Sequence, residues 1–262
     1  MSKPEIRKIV ILGAGRLAVN LSIAIFKKGY EIVEICNRTE LKGKSLAGKV
    51  KARFIPEPEM MTPDADLYIL AVSDDAIPLL LRRIKTGNRL VVHTSGSVKM
   101  DILKGVSANF GVIYPAQTFT AQKLLPFRTV PLCIEASSGK NMLLLSSFAK
   151  SLSEKVYVIN SDQRRVLHLS AIFASNFTNF MYTISRELLL ENGMDFRILE
   201  PIIRQTAGNA SSGDVFKMQT GPAMREDRET IREHLKLLAT HPGYKEIYDL
   251  ITRNIIRKKM KS

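Results

Sequence analysis

Only two cysteines, Cys36 and Cys133, occur in the 262 residues, and no CxxC pair is present. A disulfide framework is excluded, and a cysteine-based zinc site lacks its ligands. The four histidines (His93, His168, His234, His241) are scattered and no HExxH occurs. Without a nearby acidic cluster, nothing points to a metal-dependent reaction, and no metal site is expected. A GxSxG serine elbow is missing, and none of the seven tyrosines is followed four residues later by lysine. Serine-nucleophile hydrolysis and Tyr-xxx-Lys dehydrogenase chemistry lose their usual residues.

Long hydrophobic runs are also scarce. The amino terminus leads into only four consecutive apolar residues, too few for a signal-peptide core. The least charged stretch, Val166 to Ser185, is long enough to span a bilayer. It carries His168, Ser170, Ser175, Asn176, Thr178, Asn179 and Thr183, and the cost of polar groups in hydrocarbon favours burial within protein. A soluble, cytoplasmic chain with no membrane partner is expected. The net charge of +14 raises nucleic acid as a partner. The cations are spread along the chain, however, and only Arg257-Lys258-Lys259-Met260-Lys261 is dense, as a solvated terminus would be. The expected partner is a small anionic molecule.

An apolar fraction of 45% and a charged fraction of 24% describe an ordinary core-forming protein. Residues 1–160 alternate short β-branched runs with helical patterns. Strands are expected at Lys8–Leu12, Glu31–Cys36, Ala52–Ile55, Leu67–Val72, Leu90–Thr94, Gly111–Tyr114, Pro131–Glu135 and Val156–Ile159. Several are almost wholly apolar, as when both faces of a sheet are covered. Leu17, Leu21, Ala24 and Ile25 share one helical face, and Lys27-Lys28-Gly29 ends that helix. The alternation predicts an α/β, doubly wound, mostly parallel Rossmann sheet. After Asn160 strand signals nearly vanish. Ser161 or Asp162 caps a long helix running to about Asn192, followed by helices near 196–207, 228–240 and from 244 onward. Residues 161–262 are therefore expected to form an all-helical C-terminal domain for substrate binding or dimerisation.

Between the first strand and helix stands Gly13-Ala14-Gly15-Arg16-Leu17-Ala18. A dinucleotide turn needs a glycine for the tight bend, a second for approach of the pyrophosphate, and a small third residue for helix–strand packing. Gly13, Gly15 and Ala18 fit these places, and the helix starting near Arg16 aims free N–H groups at the phosphates. In NAD-binding folds an acidic residue about 20 positions on binds the ribose 2′-hydroxyl. Here that place holds Asn37, followed by Arg38 and Thr39. A neutral amide does not repel a 2′-phosphate, and the guanidinium fork suits one. The cofactor expected is NADP.

These features, with Ala71-Val72-Ser73-Asp74-Asp75-Ala76-Ile77 after a later strand, resemble the 6-phosphogluconate dehydrogenase-like superfamily. That group includes pyrroline-5-carboxylate reductase, the β-hydroxyacid dehydrogenases and the coenzyme-F420-dependent NADP oxidoreductases. Four further segments carry a narrower likeness: Val92–Ser97, Tyr114–Phe119, Phe173–Asn176 and Gly221–Asp227. They resemble a bacterial group, labelled NADP oxidoreductases, with a Rossmann-like domain and a helical domain of unknown function. The resemblance implies that Ala71, Val72 and Ser73 border the ribose and nicotinamide, that His93 to Ser97 lie near the nicotinamide, and that the chain is a homodimer.

β-Hydroxyacid dehydrogenases carry a lysine four residues before an asparagine on the long helix. Asn176 resembles that asparagine, but Ile172 stands where the lysine would be, and His168 lies one turn earlier. On an α-helix 168, 172, 175, 176 and 179 share roughly one face. His168 is thus a candidate general acid, with Asn176 beside it. The other reading is that these groups satisfy one another in a helical core. His93 exchanges a proton with substrate or is a buried histidine, and Ser95 binds substrate or shapes its loop. Arg225 binds an anion or belongs to a structured turn. The activity expected is NADP(H)-dependent hydride transfer to a small carbonyl or imine. The alternative is a non-catalytic NADP(H)-binding sensor or scaffold.

Overall fold

The computed structural model describes residues 5–120, 124–211 and 213–261. The chain divides into two compact units, Met1–Asn176 and Phe177–Ser262. The division falls later than the expected boundary after residue 160.

Within the first unit, eight strands form one sheet among the described residues: β1 (Lys8–Leu12), β2 (Glu31–Cys36), β3 (Arg53–Ile55), β4 (Leu67–Leu70), β5 (Leu90–His93), β6 (Phe110–Pro115), β7 (Leu132–Ala136) and β8 (Val156–Val158). Their order is β3-β2-β1-β4-β5-β6-β7-β8. All pairings are parallel except β6 with β7. Among the described residues no α-helix connects those two strands, and a helical crossover is what parallel neighbours usually need. Sequence neighbours diverge at β1 and β4, which places the crevice where ligands bind in open α/β sheets at their carboxyl ends.

Alternation explains the apolar strands. Ile9, Ile11, Ile35, Ile69 and Val92 pack into one core with Leu21 and Ile25 of α1 (Arg16–Lys27) and Phe148 of α4 (Gly139–Leu152). Val10, Leu12, Leu70 and Val91 face the opposite core with Ile77 of α3 (Ala76–Leu81). The central strands β1, β4, β5 and β6 bury both rows of their side chains, so their sequences are almost wholly apolar.

The expected long helix is interrupted. Residues Ser161–Ala171 form α5, Ile172–Phe177 are a π-helix, and Thr178–Glu191 form α6. Asn160 caps α5 in a capping box with Gln163, so the cap lies one residue before the expected Ser161 or Asp162. The change to i→i+5 bonding breaks the α-helical spacing from which the shared face of 168, 172, 175, 176 and 179 was expected.

The second unit is helical: α6, α7 (Glu200–Ala210), α8 (Pro222–Arg225), α9 (Arg228–Leu237) and α10 (Pro242–Lys259). Gly221–Asp227 is a structured turn. Glu226 is left-handed at φ 56°, and Asp227 caps α9 by accepting from the Thr230 N–H at 3.0 Å. Among the described residues no helix is long and apolar enough to cross a membrane.

Candidate functional site

A cleft of about 850 Å³ lies over the carboxyl ends of β1, β2 and β4. Its walls include Gly13, Ala14, Gly15, Arg16, Leu17, Asn37, Arg38, Thr39, Ala71, Val72 and Ser73. The structure thus brings these eleven residues into one cavity, while His93 to Ser97, expected near the nicotinamide, are not among those that line it. Gly13 sits at φ +116°, and a Cβ there would lie 2.2 Å from the Ala71 carbonyl oxygen. Its N–H donates to the Cys36 carbonyl at 2.8 Å. The first glycine therefore lets the turn close against β4 and β2. Gly15 is different, because a Cβ there would meet nothing within 4 Å. Its Cα faces open space, as a turn that admits a pyrophosphate requires. Ala18 is fully buried and lets α1 pack on the sheet. The first turn of α1 has neither an acidic residue nor a side-chain cap, which leaves its positive end to an anion. These residues fit a dinucleotide.

Gly15→Ala tests that geometry. Stability is expected to stay within about 0.5 kcal/mol, while NADPH affinity falls about tenfold, or ~1.4 kcal/mol. Thermal melting and a binding titration read the two separately.

At the far end of the cleft, Arg38 is exposed and forms no ion pair among the described residues. Lys42 lines the same cavity from the first turn of α2 (Glu40–Lys49). Sequence reasoning missed Lys42, although its place four residues after Arg38 was the available signal. Arg83 also lines the cleft, but its guanidinium pairs with Glu57 and with Glu59 at 2.6 Å, so its positive charge is already spent on carboxylates. Cys36 is buried at the cleft floor, and burial, with Glu34 nearby, pushes its thiol up to about 12. It is not a nucleophile at neutral pH.

A second cluster gathers beside β5 and β6. His168 of α5 is half-buried, and its Nδ1 lies 3.1 Å from the Tyr114 hydroxyl of β6. Its ring packs on Gly96, where a Cβ would lie 2.6 Å from both Cγ and Nδ1. Thr118 and Ser175 hydroxyls meet at 2.9 Å. The Ser97 hydroxyl donates to the Asp74 carboxylate, and Asp74 lies between two cleft residues, Ser73 and Asp75. The loop under His168 is thereby tied to the loop that borders the cleft. Asn176 is exposed in the π-helical segment.

His93 is fully buried, and its Nδ1 accepts from the Ser95 N–H at 3.2 Å. Nε2 forms no hydrogen bond. Burial, reinforced by the Arg164 charge, lowers its pKa to about 4, against smaller opposing effects of the Lys99 backbone and Asp74. Ser95 Oγ accepts from the N–H groups of Ser97 and Val98 at 3.1 and 3.0 Å, which shapes the loop. The low pKa of His93 makes stability pH-dependent. Between about pH 6.5 and 4 the unfolded chain binds this proton and the folded chain does not, so stability falls as pH drops through that window. A His93→Gln variant is expected to lose less stability across it, as urea unfolding at several pH values would show.

Arg164 was also missed. It is 1% exposed, pairs with Glu135 of β7, and donates to the Val98 carbonyl at 2.6 Å. The Ser161 N–H donates to Glu135 at 3.0 Å, and its hydroxyl accepts from the Met100 N–H at 3.0 Å. No spacing in the sequence links β7 to the start of α5.

A phosphate-type turn at the switch point of a doubly wound sheet, followed by a helical unit, defines the architecture of the NADP oxidoreductase-like proteins. Residues 8–96 match the family model described as NADP oxidoreductase, coenzyme F420-dependent, and residues 130–255 match a domain of unknown function, DUF2520. No curated protein matches the chain. A solved structure of a putative NADP oxidoreductase from Bacteroides fragilis is 40% identical, with 96% of this chain and 98% of that one covered and a TM-score of 0.90. A Thermotoga maritima protein is 21% identical over 97% of this chain and 100% of its own, with a TM-score of 0.79. An imine reductase from Myxococcus stipitatus in complex with NADP+ is 16% identical over 97% and 94%, with a TM-score of 0.69. The chain belongs to the family of the Bacteroides fragilis protein.

Proposed function

We propose that the protein is an NADP(H)-dependent oxidoreductase that transfers hydride to a small carbonyl or imine compound. The observation that carries this is the cleft itself, which joins the Gly13–Ala18 turn to Arg38 and Lys42 with no carboxylate at position 37. The N–H groups of α1 hold the pyrophosphate, and Arg38, Thr39 and Lys42 hold the 2′-phosphate. Ala71, Val72 and Ser73 border the ribose and nicotinamide. NADP(H), when bound, supplies the hydride. His168 donates to the substrate oxygen, because His93 is neutral at physiological pH and closed off from solvent. Ser95 keeps the loop in place, and Asn176 contributes an amide beside the substrate. The test is NADPH oxidation against a panel of aldehydes, ketones and imines. NADPH binding with no turnover of any compound, coenzyme F420 included, would overturn the catalytic reading. The non-catalytic alternative draws its support from Ile172, which stands where related dehydrogenases carry lysine.

The active species in this proposal is a homodimer. Among the described residues of the second unit only Ala223, Leu238 and Thr252 are buried, while Phe180, Ile198, Ile202, Leu250 and Ile251 are exposed. A helical unit with so small a core needs a covering surface. A second copy of the chain provides one through a self-complementary contact. Light scattering is expected to give twice the 29.4 kDa chain mass. A monomer at micromolar concentration would sink the dimer.

A further inference from the structure

We propose that Tyr114 is a positioning residue for His168: it fixes which imidazole nitrogen carries hydrogen, so that Nε2–H faces the oxygen of a carbonyl substrate. The inference rests on the reading of this site as a reductase and names its acceptor.

The argument starts from hydrogen-bond accounting. Tyr114 is 7% exposed on β6, and its hydroxyl meets His168 Nδ1 at 3.1 Å. Burial raises the pKa of the phenol, so it remains neutral. A neutral phenol has one hydrogen to donate and can also accept. Nδ1 is its only hydrogen-bond partner among the described residues. When the imidazole is neutral, donation to Nδ1 satisfies the buried hydroxyl, whereas the opposite tautomer leaves that hydroxyl hydrogen without an acceptor. When the imidazole is charged, Nδ1–H donates and the phenol oxygen accepts. In both states Nε2 carries hydrogen, and Nε2 has no partner among the described residues. The ring cannot slide away toward the loop, because it already lies against the backbone at Gly96.

This arrangement selects its acceptor. A carbonyl oxygen has lone pairs and gains negative charge as hydride reaches its carbon. The C=O double bond becomes a C–O single bond as a C–H and an O–H bond form. The hydride comes from the reduced nicotinamide, the Nε2–H of the neutral ring donates a hydrogen bond to the developing alkoxide, and water supplies the proton of the new O–H. The ring keeps its Nε2 hydrogen and its bond to Tyr114 throughout. A preformed iminium has no lone pair on nitrogen, already carries positive charge, and takes no proton. The groups against the ring do not suit it, because they are the Tyr114 phenol and the Gly96 backbone, and neither carries negative charge. The Glu135 carboxylate is paired with Arg164, and that of Asp74 accepts from the Ser97 hydroxyl.

The experiment uses the full-length chain labelled with ¹⁵N, with His168→Asn to assign the ring signals. Long-range ¹H–¹⁵N spectra at alkaline pH are expected to show a His168 ring protonated at Nε2 alone. In Tyr114→Phe the same ring is expected to become a mixture of tautomers. With a carbonyl substrate, Tyr114→Phe is expected to lower kcat about 10–100-fold, a part of what a fixed donor to a developing oxyanion supplies, while KM and NADPH affinity stay within about twofold. Gly96→Ala, which pushes the ring from its seat without touching the phenol, is expected to lower kcat in the same way and guards against a folding defect in Tyr114→Phe. An unchanged tautomer in Tyr114→Phe, or a change in KM alone, would overturn the inference. Faster turnover of preformed iminium ions than of carbonyls would overturn the choice of acceptor. A tautomer fixed by Tyr114 in a protein that reduces no compound would uphold the positioning role and defeat the oxidoreductase reading instead.

Discussion

Replacing Arg164 with methionine is expected to lower stability by about 3–5 kcal/mol, because it strips the partner from a buried carboxylate. The Arg164 side chain is 1% exposed and that of Glu135 15%. The guanidinium also donates to the Val98 carbonyl at 2.6 Å and to the Ser161 hydroxyl at 3.1 Å. Removing it leaves a negative charge without its cation and a loop carbonyl without its donor. Urea denaturation checks the size of the loss. The double variant Arg164→Met/Glu135→Leu is expected to recover most of it, since two apolar groups no longer bury an unpaired charge. Arg165→Ala, whose side chain reaches Asp162 at 3.8 Å on the exposed side of the same helix, is expected to cost under about 0.5 kcal/mol. Equal effects of Arg164→Met and Arg165→Ala would contradict the account.

Arg38→Ala is expected to weaken NADPH binding by about 1–3 kcal/mol, the range of hydrogen bonds to charged groups, and to leave NADH nearly unaffected. Arg38 lines the cleft, is exposed, and spends no charge on a carboxylate. Lys42→Ala is expected to act in the same direction with a smaller effect, as a point charge without the planar fork. Asn37→Asp would place an anion beside the 2′-phosphate and offer a ribose hydroxyl an acceptor, shifting preference toward NADH. Calorimetric titration with both cofactors distinguishes these cases. Equal weakening of NADPH and NADH by Arg38→Ala would remove the 2′-phosphate assignment.

The cleft was legible in the sequence because its information is local. Gly13, Gly15 and Ala18 stand at fixed offsets from a strand, and Asn37-Arg38-Thr39 follow the next strand. All eight expected strands are present, since runs such as Lys8–Leu12 and Glu31–Cys36 are bounded by clear turn signals. The proton-handling cluster was less legible. His168 and Tyr114 are separated by 54 residues, and no periodicity pairs them. Arg164 reads in the sequence as one more cation in Gln163-Arg164-Arg165, although one arginine is buried and the other exposed. The π-helix at Ile172–Phe177 left no signal either. Its residues have the composition of an ordinary amphipathic helix.

The Glu135–Arg164–Ser161 network has a consequence for engineering. It clamps the first turn of α5 to β7 of the sheet and to the loop at Val98 and Met100. The histidine one turn further on inherits its alignment from the Rossmann framework. Both the cofactor cradle and His168 belong to the unit that ends at Asn176. In the proposed reaction residues 177–262 are released from the task of aiming His168. They become the part of the molecule where sequence can be redesigned or recombined between relatives, provided the surface that joins the two proposed copies is kept.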